Sequence, residues 1–414
     1  MSLPLTALFI DCDSYFAACE QHLCTGLIGV PVAVAPVLAE SSCCIAASYE
    51  AKAYGVKTGT GLREARALCP DLVVVEAQPP EYVRLHHEIV AAVESCIHVE
   101  SVLSIDEMWC WLPKNWRERE FVLDLGRKIK RAVAFHVSPV ITVSVGAAPN
   151  RFFAKMASKM RKPDGLFVIE AADLPDALHE LDLTDLTGIS RSMELRLHAA
   201  GIHDVAALCA APKAVLRGVW GGVVGERYWH LLRGEEVPDP PTSRRSLGHS
   251  HVLPPDLRTP GKAWPVVCKL AHKACERLRA MGLMCGGIAL DVGFRDGERF
   301  RPELRVAATD STLEVLRWLR RLWGEMPRQG AELVQVGLVL SRFGQAATHT
   351  PDLFADPVRE ERLRRLDEAI DSLRVRYGRD AVHFGSVNEV VAAAPMRISF
   401  GHVPDVDLEG DRKE

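Results

Sequence analysis

Two adjacent carboxylates, Asp106 and Glu107, interrupt an apolar run over residues 99–112 that is otherwise typical of β-strand. In a regular strand, neighbouring side chains point to opposite faces, so one of the two acids would enter a core. A tight turn at Ser104-Ile105 removes this conflict, because it makes a hairpin with both acids at its tip. Paired carboxylates at such a tip indicate a cation site, whereas an isolated Asp-Glu pair is more often an acidic surface turn.

A third acid, Asp11, favours the cation site. The apolar run of residues 5–10 predicts a short buried strand that ends on Asp11, and a helix is expected to begin after Asp13 or Ser14 as N-cap. Mg²⁺ takes oxygen ligands and prefers carboxylates together with substrate phosphates. Two such ions stabilise the attacking and leaving oxygens of an in-line phosphoryl transfer. The three acids therefore predict metal-dependent phosphoryl transfer.

Four motifs that follow one another along the chain extend this hypothesis. They are Ile10-Asp-Cys-Asp-Ser-Tyr-Phe-Ala17, Ala47-Ser-Tyr-Glu-Ala-Lys52 with Gly55-Val-Lys57, Ser104-Ile-Asp-Glu107 and Lys162-Pro-Asp-Gly165. In this order and spacing they resemble the motifs of Y-family DNA polymerases, the translesion enzymes similar to bacterial DNA polymerase IV. The resemblance extends over about residues 5–345.

The resemblance implies an α+β, multidomain right-hand polymerase. Its expected parts are a ferredoxin-like palm (1–20 and 79–170), small fingers (21–78), a helical thumb with a helix-hairpin-helix (171–238), a βαββαβ little finger (239–345) and a tail with one helix (346–414). The palm sheet is expected to be covered by helices on one face. The Pro-rich stretch at 238–245 is a linker by composition.

The resemblance also assigns roles at the acidic site. Asp11 and Asp106 would bridge two Mg²⁺ ions, and Glu107 would hold the ion that activates the primer 3′-hydroxyl. The backbone carbonyl of Cys12 would complete the second ion's ligands, while Asp13 is expected to cap the following helix. Phe16 falls at the steric gate, where an aromatic ring fills the space that a ribose 2′-hydroxyl would need.

Other positions are implied to contact the substrates. Tyr49, Lys52 and Lys162 would bind the incoming dNTP, although Lys52 stands where the family usually has Arg, and lysine lacks the two-pronged grip on phosphate. Gly188 and Ser190 would offer the thumb's Gly-rich turn to a DNA phosphate. Ser190 replaces a second glycine that is usual there.

The C-terminal third is the basic part of the chain. Residues 243–345 contain 17 Lys and Arg against 10 Asp and Glu, a net charge of +7, so with −4 overall the remaining residues carry −11. A basic module of this kind suits duplex phosphates, and Arg244 and Arg245 begin it. Further on, Leu353 and Phe354 lie in a faint resemblance to the peptide by which bacterial polymerases dock on the sliding clamp, but the usual leading Gln-Leu is absent.

Composition excludes several other classes. The sequence contains no run of 18 apolar residues, which a membrane helix would need. The 12 cysteines contain no C-x-x-C pair that would indicate a zinc site. Since no basic-then-apolar leader opens the sequence, we expect a cytoplasmic protein. We expect a monomeric, error-prone, template-directed polymerase that acts on primer–template DNA and dNTPs in damage tolerance. The alternatives left open are a catalytically silent accessory protein with the polymerase fold and a palm-fold nucleotidyl cyclase.

Overall fold

The computed structural model describes residues 3–40, 42–239, 245–328, 330–348, 356–378, 381–390 and 403. They separate into two compact units, one made chiefly of residues 3–239 and the other of residues 245–390. Arg244, Leu353 and Phe354 lie outside the described residues. Within the described ranges, no helix combines the length and apolarity needed to cross a bilayer.

The first unit contains eight strands and ten α-helices among its described residues. The strands are β1 Ala7–Cys12, β2 Val32–Ala35, β3 Ala46–Ala47, β4 Val73–Glu76, β5 Ser101–Val102, β6 Glu107–Trp111, β7 Val143–Ala148 and β8 Leu166–Val168. The helices are α1 Tyr15–Leu23, α2 Tyr49–Ala53, α3 Leu62–Leu68, α4 Pro79–Glu94, α5 Arg119–His136, α6 Arg151–Met160, α7 Arg191–Ala199, α8 Val205–Ala210, α9 Lys213–Trp220 and α10 Val223–Leu231.

A five-stranded sheet in the order β5-β6-β1-β7-β8 forms the centre of this unit. Strand β1 is antiparallel to both β6 and β7 and is buried along its whole length, as its apolar sequence requires. Helix α6 packs against β1 and β7, whereas α5 packs against β7 and β8 with α4 beside it. The expectation of helices on one face was wrong, because α6 forms the crossover between the parallel strands β7 and β8 and covers the second face.

Two strand boundaries differ from those expected. Strand β1 continues to Cys12, so Asp11 lies within the strand and pairs with Glu107 on one side and Ser144 on the other. The apolar run of residues 140–146 predicts a second palm strand, but strand β7 begins only at Val143. The three-residue strand β8 was not expected, and it pairs with β7 directly after Gly165.

Gly146 in β7 allows α6 to lie directly against the sheet. A Cβ atom at this position would lie 2.2 Å from both the Ala154 carbonyl oxygen and the Ser158 nitrogen, which are backbone atoms of α6. Backbone atoms of a packed helix cannot move aside as a flexible side chain can. Glycine therefore sets the distance between α6 and the sheet.

A smaller sheet, β3-β2-β4, lies in the region expected for the fingers. Strand β2 is parallel to β4 and antiparallel to β3, and its four residues are buried. The small core beneath it is made of alanine, valine, leucine and cysteine side chains, including those of α3. Helices α7 to α10 occupy the expected thumb region and share a core with α6.

The second unit has five strands and three helices among its described residues. They are β9 Ser246–Val252, α11 Pro260–Ala280, β10 Leu283–Phe294, β11 Arg299–Phe300, β12 Glu303–Thr309, α12 Thr312–Gly324, β13 Leu333–Gln345 and α13 Pro357–Tyr377. The expected βαββαβ order is present. The sequence favours one continuous strand over residues 299–306, but the structure divides it around Pro302, which has no N–H to donate.

Helix α13 is attached to α11 through buried charges. The Arg279 guanidinium donates two hydrogen bonds to the Asp371 carboxylate, at 2.7 and 2.8 Å. On the next turn of α13, Arg374 donates to His272 Nδ1 at 2.8 Å. Both arginines are largely buried, so these ionic contacts fix the position of α13 on the second unit.

Candidate active site

The three acids that the sequence singled out lie at one end of the central sheet. Asp11 and Glu107 are paired residues on the adjacent antiparallel strands β1 and β6, so their side chains leave the same face. Asp106 lies in the turn between β5 and β6, immediately before Glu107. Asp11 is only 5% exposed, although the other two acids are less deeply buried.

Backbone hydrogen bonds hold the turn that carries Asp106. The Glu107 carbonyl accepts from the N–H groups of Leu103 and Ser104, at 2.9 and 3.2 Å. The Asp106 carbonyl accepts from the Cys12 N–H at 2.8 Å and so joins the turn to β1. The Ser104 hydroxyl donates to the Asp106 carboxylate. The turn therefore has little freedom relative to the strand that carries Asp11.

Two lysines place their charges on these carboxylates. Lys162, just after α6, donates to Asp11 and lies 3.7 Å from Asp13. Lys155, within α6, lies 2.7 Å from a Glu107 carboxylate oxygen. Because α6 packs directly on β7, it brings both ammonium groups over the acidic end of the sheet.

Burial and the repulsion of neighbouring carboxylates raise the pKa of Asp11 and of Asp106. Burial raises the pKa of Asp11 to about 6 against the opposing effect of Lys162, and the charges of Glu107 and Asp106 add to the rise. Burial likewise raises the pKa of Asp106, against the Ser104 hydrogen bond. Burial opposes the charge of Lys162, but the neighbouring Asp11 outweighs it and raises the pKa of that ammonium. The group as a whole favours additional positive charge.

The donor set fits a hard divalent cation. Within the described ranges, no three acidic, His or Cys side chains are arranged as a ready metal cage. The ammonium groups of Lys162 and Lys155 instead contact the acids that would serve as ligands. All the side-chain donors are carboxylate oxygens, which Mg²⁺ prefers, and they lie together at the end of the sheet.

A polar cluster lies next to the acids. The Lys52 ammonium donates to the Ser14 hydroxyl at 2.7 Å and lies 4.4 Å from the centre of the Tyr49 ring. Burial, together with the nearby Asp13 carboxylate, raises the pKa of the Tyr49 phenol to about 12, while burial and the charge of Lys162 lower the pKa of Lys52. The structure thus brings Tyr49, Lys52 and Lys162 together beside Asp11.

Phe16 lies on the first turn of α1, two residues after Ser14, which is the partner of Lys52. Its ring is 5% exposed and stacks on Tyr82 of α4, with ring centres 5.1 Å apart. The Tyr82 hydroxyl in turn donates to the buried Glu20 carboxylate. These contacts fix the orientation of the Phe16 ring.

Comparison with known proteins places the chain in a family. Residues 10–159 match the impB/mucB/samB family, and residues 244–353 match the C-terminal domain of the same family. The chain is 34% identical over 396 residues to DNA polymerase IV of Moorella thermoacetica, covering 92% of this chain and 96% of that protein. The chain belongs to the Y family of DNA polymerases.

Further relatives and solved structures of the Y family agree with this assignment. DNA polymerase IV of Pseudomonas paraeruginosa is 36% identical over 239 residues, which cover 58% of this chain and 68% of that protein. Among solved structures, a Y-family chimera of Dbh and Dpo4 superposes with a TM-score of 0.68 at 24% identity, covering 81% of this chain and 98% of that one. DinB from Sulfolobus solfataricus has the same coverages at 25% identity and a TM-score of 0.51.

Membership in the Y family confirms the α+β polymerase fold and identifies a metal-dependent, DNA-directed DNA polymerase of the translesion type. The nucleotidyl cyclase alternative is thereby set aside. The assignment concerns the family as a whole, and the roles of individual side chains in this Y-family chain depend on the geometry described above.

The expectation that Asp13 caps α1 was wrong. Its carboxylate accepts from the hydroxyls of Thr142 and Ser144, at 2.9 and 2.8 Å, and from the Asp164 N–H at 2.8 Å. Ser14 is the N-cap, with φ of 47° and no hydrogen bond from its side chain to the helix. Asp13 therefore ties β1 to β7 and to the loop that carries Lys162.

The thumb turn differs in detail from the resemblance. Gly188 adopts φ of 93°, a left-handed conformation that favours glycine. Ser190 begins α7, and its hydroxyl accepts from the Met193 N–H at 3.4 Å. Its side chain thus serves as a helix cap, which explains how serine is accommodated at this position.

In the second unit, Arg245 is an exposed residue just before β9.

The sequence did not assign two residues that contact the acidic turn and its neighbours. Lys155 belongs to none of the four motifs, and the signal that could have found it is its position seven residues, or two helical turns, before Lys162. No sequence pattern points to His86 on α4, because its partner is the backbone carbonyl of Ile105 and a backbone group leaves no trace in the residue type.

Proposed function

We propose that this chain adds dNTPs to a primer 3′ end opposite a DNA template, in damage tolerance, with two Mg²⁺ ions at Asp11, Asp106 and Glu107. The observation that carries the proposal is the convergence of these three carboxylates from two strands and a turn, beside two lysines. The carbonyl of Cys12 is the proposed backbone ligand. Ions bound there would acidify the primer 3′-hydroxyl and neutralise charge on the leaving pyrophosphate.

The chain's own side chains position the substrates in this proposal. Lys162, Lys52 and Tyr49 lie together beside Asp11, where their ammonium and hydroxyl groups can donate to the triphosphate of a dNTP. Lys162 and Lys155 contact Asp11 and Glu107, which places their positive charges where phosphate oxygens of the substrate would also bind. Phe16, held by Tyr82, would exclude a 2′-hydroxyl.

DNA binding is proposed for the thumb turn and the basic second unit. The turn at Gly188 and Ser190 precedes α7 and offers backbone N–H groups to a phosphate. Arg245 and the net positive charge of residues 243–345 suit the duplex backbone, and we extend this role to Arg244. A ternary complex structure of the related Dbh polymerase has been solved, which supports binding of DNA and a nucleotide. We also propose that Leu353 and Phe354 dock on a sliding clamp and that the protein is a monomer.

The test is Asp106→Asn in a Mg²⁺-dependent primer-extension assay. We expect the extension rate to fall by more than about 100-fold, because substitutions of residues that only support a metal ligand already cost up to about 100-fold. The DNA affinity, measured by fluorescence anisotropy, should stay the same. Asp124→Asn on α5, an exposed carboxylate paired only with Arg127 among the ion pairs of the described residues, is the matched control. Near wild-type extension by Asp106→Asn would overturn the site assignment.

The same assay decides on the accessory-protein alternative. The departures at Lys52 and Ser190 are the observations that favour it. A wild-type chain that binds primer–template but adds no nucleotide with Mg²⁺ or Mn²⁺ would support the silent protein, and measurable extension would exclude it.

A further inference from the structure

One peptide group of the acidic turn is held by a side chain from a different element. The turn's other contacts fix the carbonyls of Asp106 and Glu107, through Cys12 and through Leu103 and Ser104. The peptide between Ile105 and Asp106 is fixed by His86 of α4, whose Nδ1 lies 2.8 Å from the Ile105 carbonyl oxygen. Both His86 and Ile105 are 2% exposed.

The chemistry of this contact defines the state of the imidazole. A carbonyl oxygen only accepts hydrogen bonds, so His86 Nδ1 must carry the proton and donate. Burial lowers the pKa of His86 to about 4, which keeps the ring neutral at physiological pH. A neutral ring with a proton on Nδ1 donates to Ile105 without placing a positive charge beside the acids.

This hydrogen bond acts on the Asp106 side chain through the backbone. The peptide before Asp106 is fixed by His86, and the peptide after it is fixed by the bond from Cys12 to the Asp106 carbonyl. With both flanking peptide planes fixed, the direction of the Cα–Cβ bond of Asp106 is determined. The Ser104 hydroxyl then selects the orientation of the carboxylate.

We propose that His86 is a positioning residue of the polymerase site, which fixes the Ile105–Asp106 peptide and so sets the direction of the Asp106 carboxylate that would hold a divalent cation. The inference rests on the proposed role of Asp106. Helix α4 also carries Tyr82 one turn earlier, against Phe16, so one face of α4 supports both the acidic turn and the proposed sugar gate.

The test compares two substitutions in the full chain with a neighbouring control. His86→Leu keeps apolar volume and removes the donor, whereas His86→Asn retains an N–H donor near the position of Nδ1. His87→Ala is the matched control, because His87 is the next residue of α4 and is exposed. All three proteins are first checked for folding by thermal unfolding.

Two measurements do not depend on catalysis. The first is hydrogen exchange of the Cys12, Leu103 and Ser104 amides in the metal-free protein, since these amides donate to the acidic turn. The second is Mn²⁺ binding, followed by electron paramagnetic resonance with a dideoxy-terminated primer–template and dNTP. Single-turnover primer extension at several dNTP concentrations supplies the maximal rate of nucleotide addition and the apparent KM for dNTP.

We expect His86→Leu to exchange these amides about 10-fold faster and to weaken Mn²⁺ binding by about 10- to 100-fold, the range for residues that support metal ligands. The extension rate should fall with little change in the KM for dNTP. His86→Asn should recover most of each effect, and His87→Ala should match the wild type.

The inference is overturned if a folded His86→Leu shows wild-type amide exchange and Mn²⁺ affinity, or if His86→Asn is no better than His86→Leu. Should His86→Leu fail to fold, His86→Gln takes its place, because its amide lies near the position of Nε2 and cannot replace the donor at Nδ1; wild-type exchange and Mn²⁺ affinity in that protein overturn the inference. Failure of the proposed function is distinguishable, because the wild-type chain would then show no Mg²⁺-dependent extension whatever the amide exchange.

Discussion

At the scale of single residues, the site depends on side chains whose roles are set by their immediate partners. The resemblance places Asp11, Asp106 and Glu107 at the metal site, and the structure brings them to one end of the sheet. Asp13 shows where inference from sequence fails. Its three partners lie 129 to 151 residues away in the chain, so local capping rules could not anticipate them.

Phe16→Ala should admit ribonucleotides, because the proposed role of the ring is to occupy the 2′ side of the sugar pocket. We expect the preference for dNTP over rNTP, measured as the ratio of kcat/KM values, to fall by roughly 10- to 200-fold, the range for steric discrimination by one group. Phe135→Ala, at a ring that is 83% exposed, is the control. An unchanged ratio in a folded Phe16→Ala protein would assign the gate to another residue.

Lys52→Arg should strengthen dNTP binding. Arginine offers a two-pronged donor to phosphate where the lysine now donates to Ser14, and a gain of about 1 kcal/mol would lower the apparent KM about five-fold. Steady-state kinetics on an undamaged template measure this, with Lys114→Arg at an exposed position as control. An unchanged or higher KM would mean that the surrounding pocket is built for the ammonium group.

At the scale of elements, the sequence predicted most helices and the longer strands. The sequence predicts a strand over residues 246–252 and an amphipathic helix over residues 357–377 that begins at a proline, and the structure has both at these bounds. The three-residue strand β8 was missed because so short a segment has no periodicity of its own. Its conformation comes from pairing with β7.

Asp371→Asn should loosen helix α13. The substitution replaces the bidentate carboxylate partner of the Arg279 guanidinium, only 13% exposed, with a neutral amide and leaves the Asp367 carboxylate, at 3.6 Å, beside it. Removing one partner of a buried ion pair lowers the free energy of unfolding by about 3–5 kcal/mol. Because Asp371 is partly exposed, we expect the free energy of opening of α13 to fall by about 2 kcal/mol. Hydrogen exchange of the α13 amides in the full chain measures the free energy of opening.

Glu368→Gln is the matched control for α13, because this exposed carboxylate pairs with Arg364 on the same helix. Such a surface pair contributes less than about 0.5 kcal/mol. Equal protection of α13 in both variants would show that apolar contacts, and not the buried charges, hold the helix.

At the scale of the whole molecule, charge is divided between the two units. The linker composition and the basic C-terminal third were evident in the sequence, whereas the pairing of many of these arginines with acids was not. Arg299 and Arg301 both contact Asp291, and Arg295 and Arg258 both contact Glu332. Such pairs depend on the strand register, which charge counting does not reveal.

If the second unit binds duplex phosphates, the intact chain should lose DNA affinity with salt more steeply than a chain that ends at Asp239. The logarithm of affinity falls with the logarithm of salt by about 0.9 per neutralised phosphate. Asp239 contacts both Arg151 and Arg227, so this end point keeps the last contacts of the first unit. Anisotropy titrations at several salt concentrations provide the slopes.

Thermal unfolding of the shortened chain controls for loss of its fold. Equal salt dependence of DNA affinity in the two proteins would show that the excess arginines lie on a solvated surface that does not bind DNA. This result would contradict the proposed DNA-binding role of residues 243–345.

The contact at Gly146 also limits how the enzyme can change over generations. Any side chain there would meet the backbone of α6 and displace the helix that carries Lys155 and precedes Lys162. Gly146 itself has no functional group to offer a substrate. A position of this kind would nevertheless tolerate no replacement under selection for polymerase activity, so intolerance to mutation at residue 146 would reflect the spacing of a helix and not chemistry.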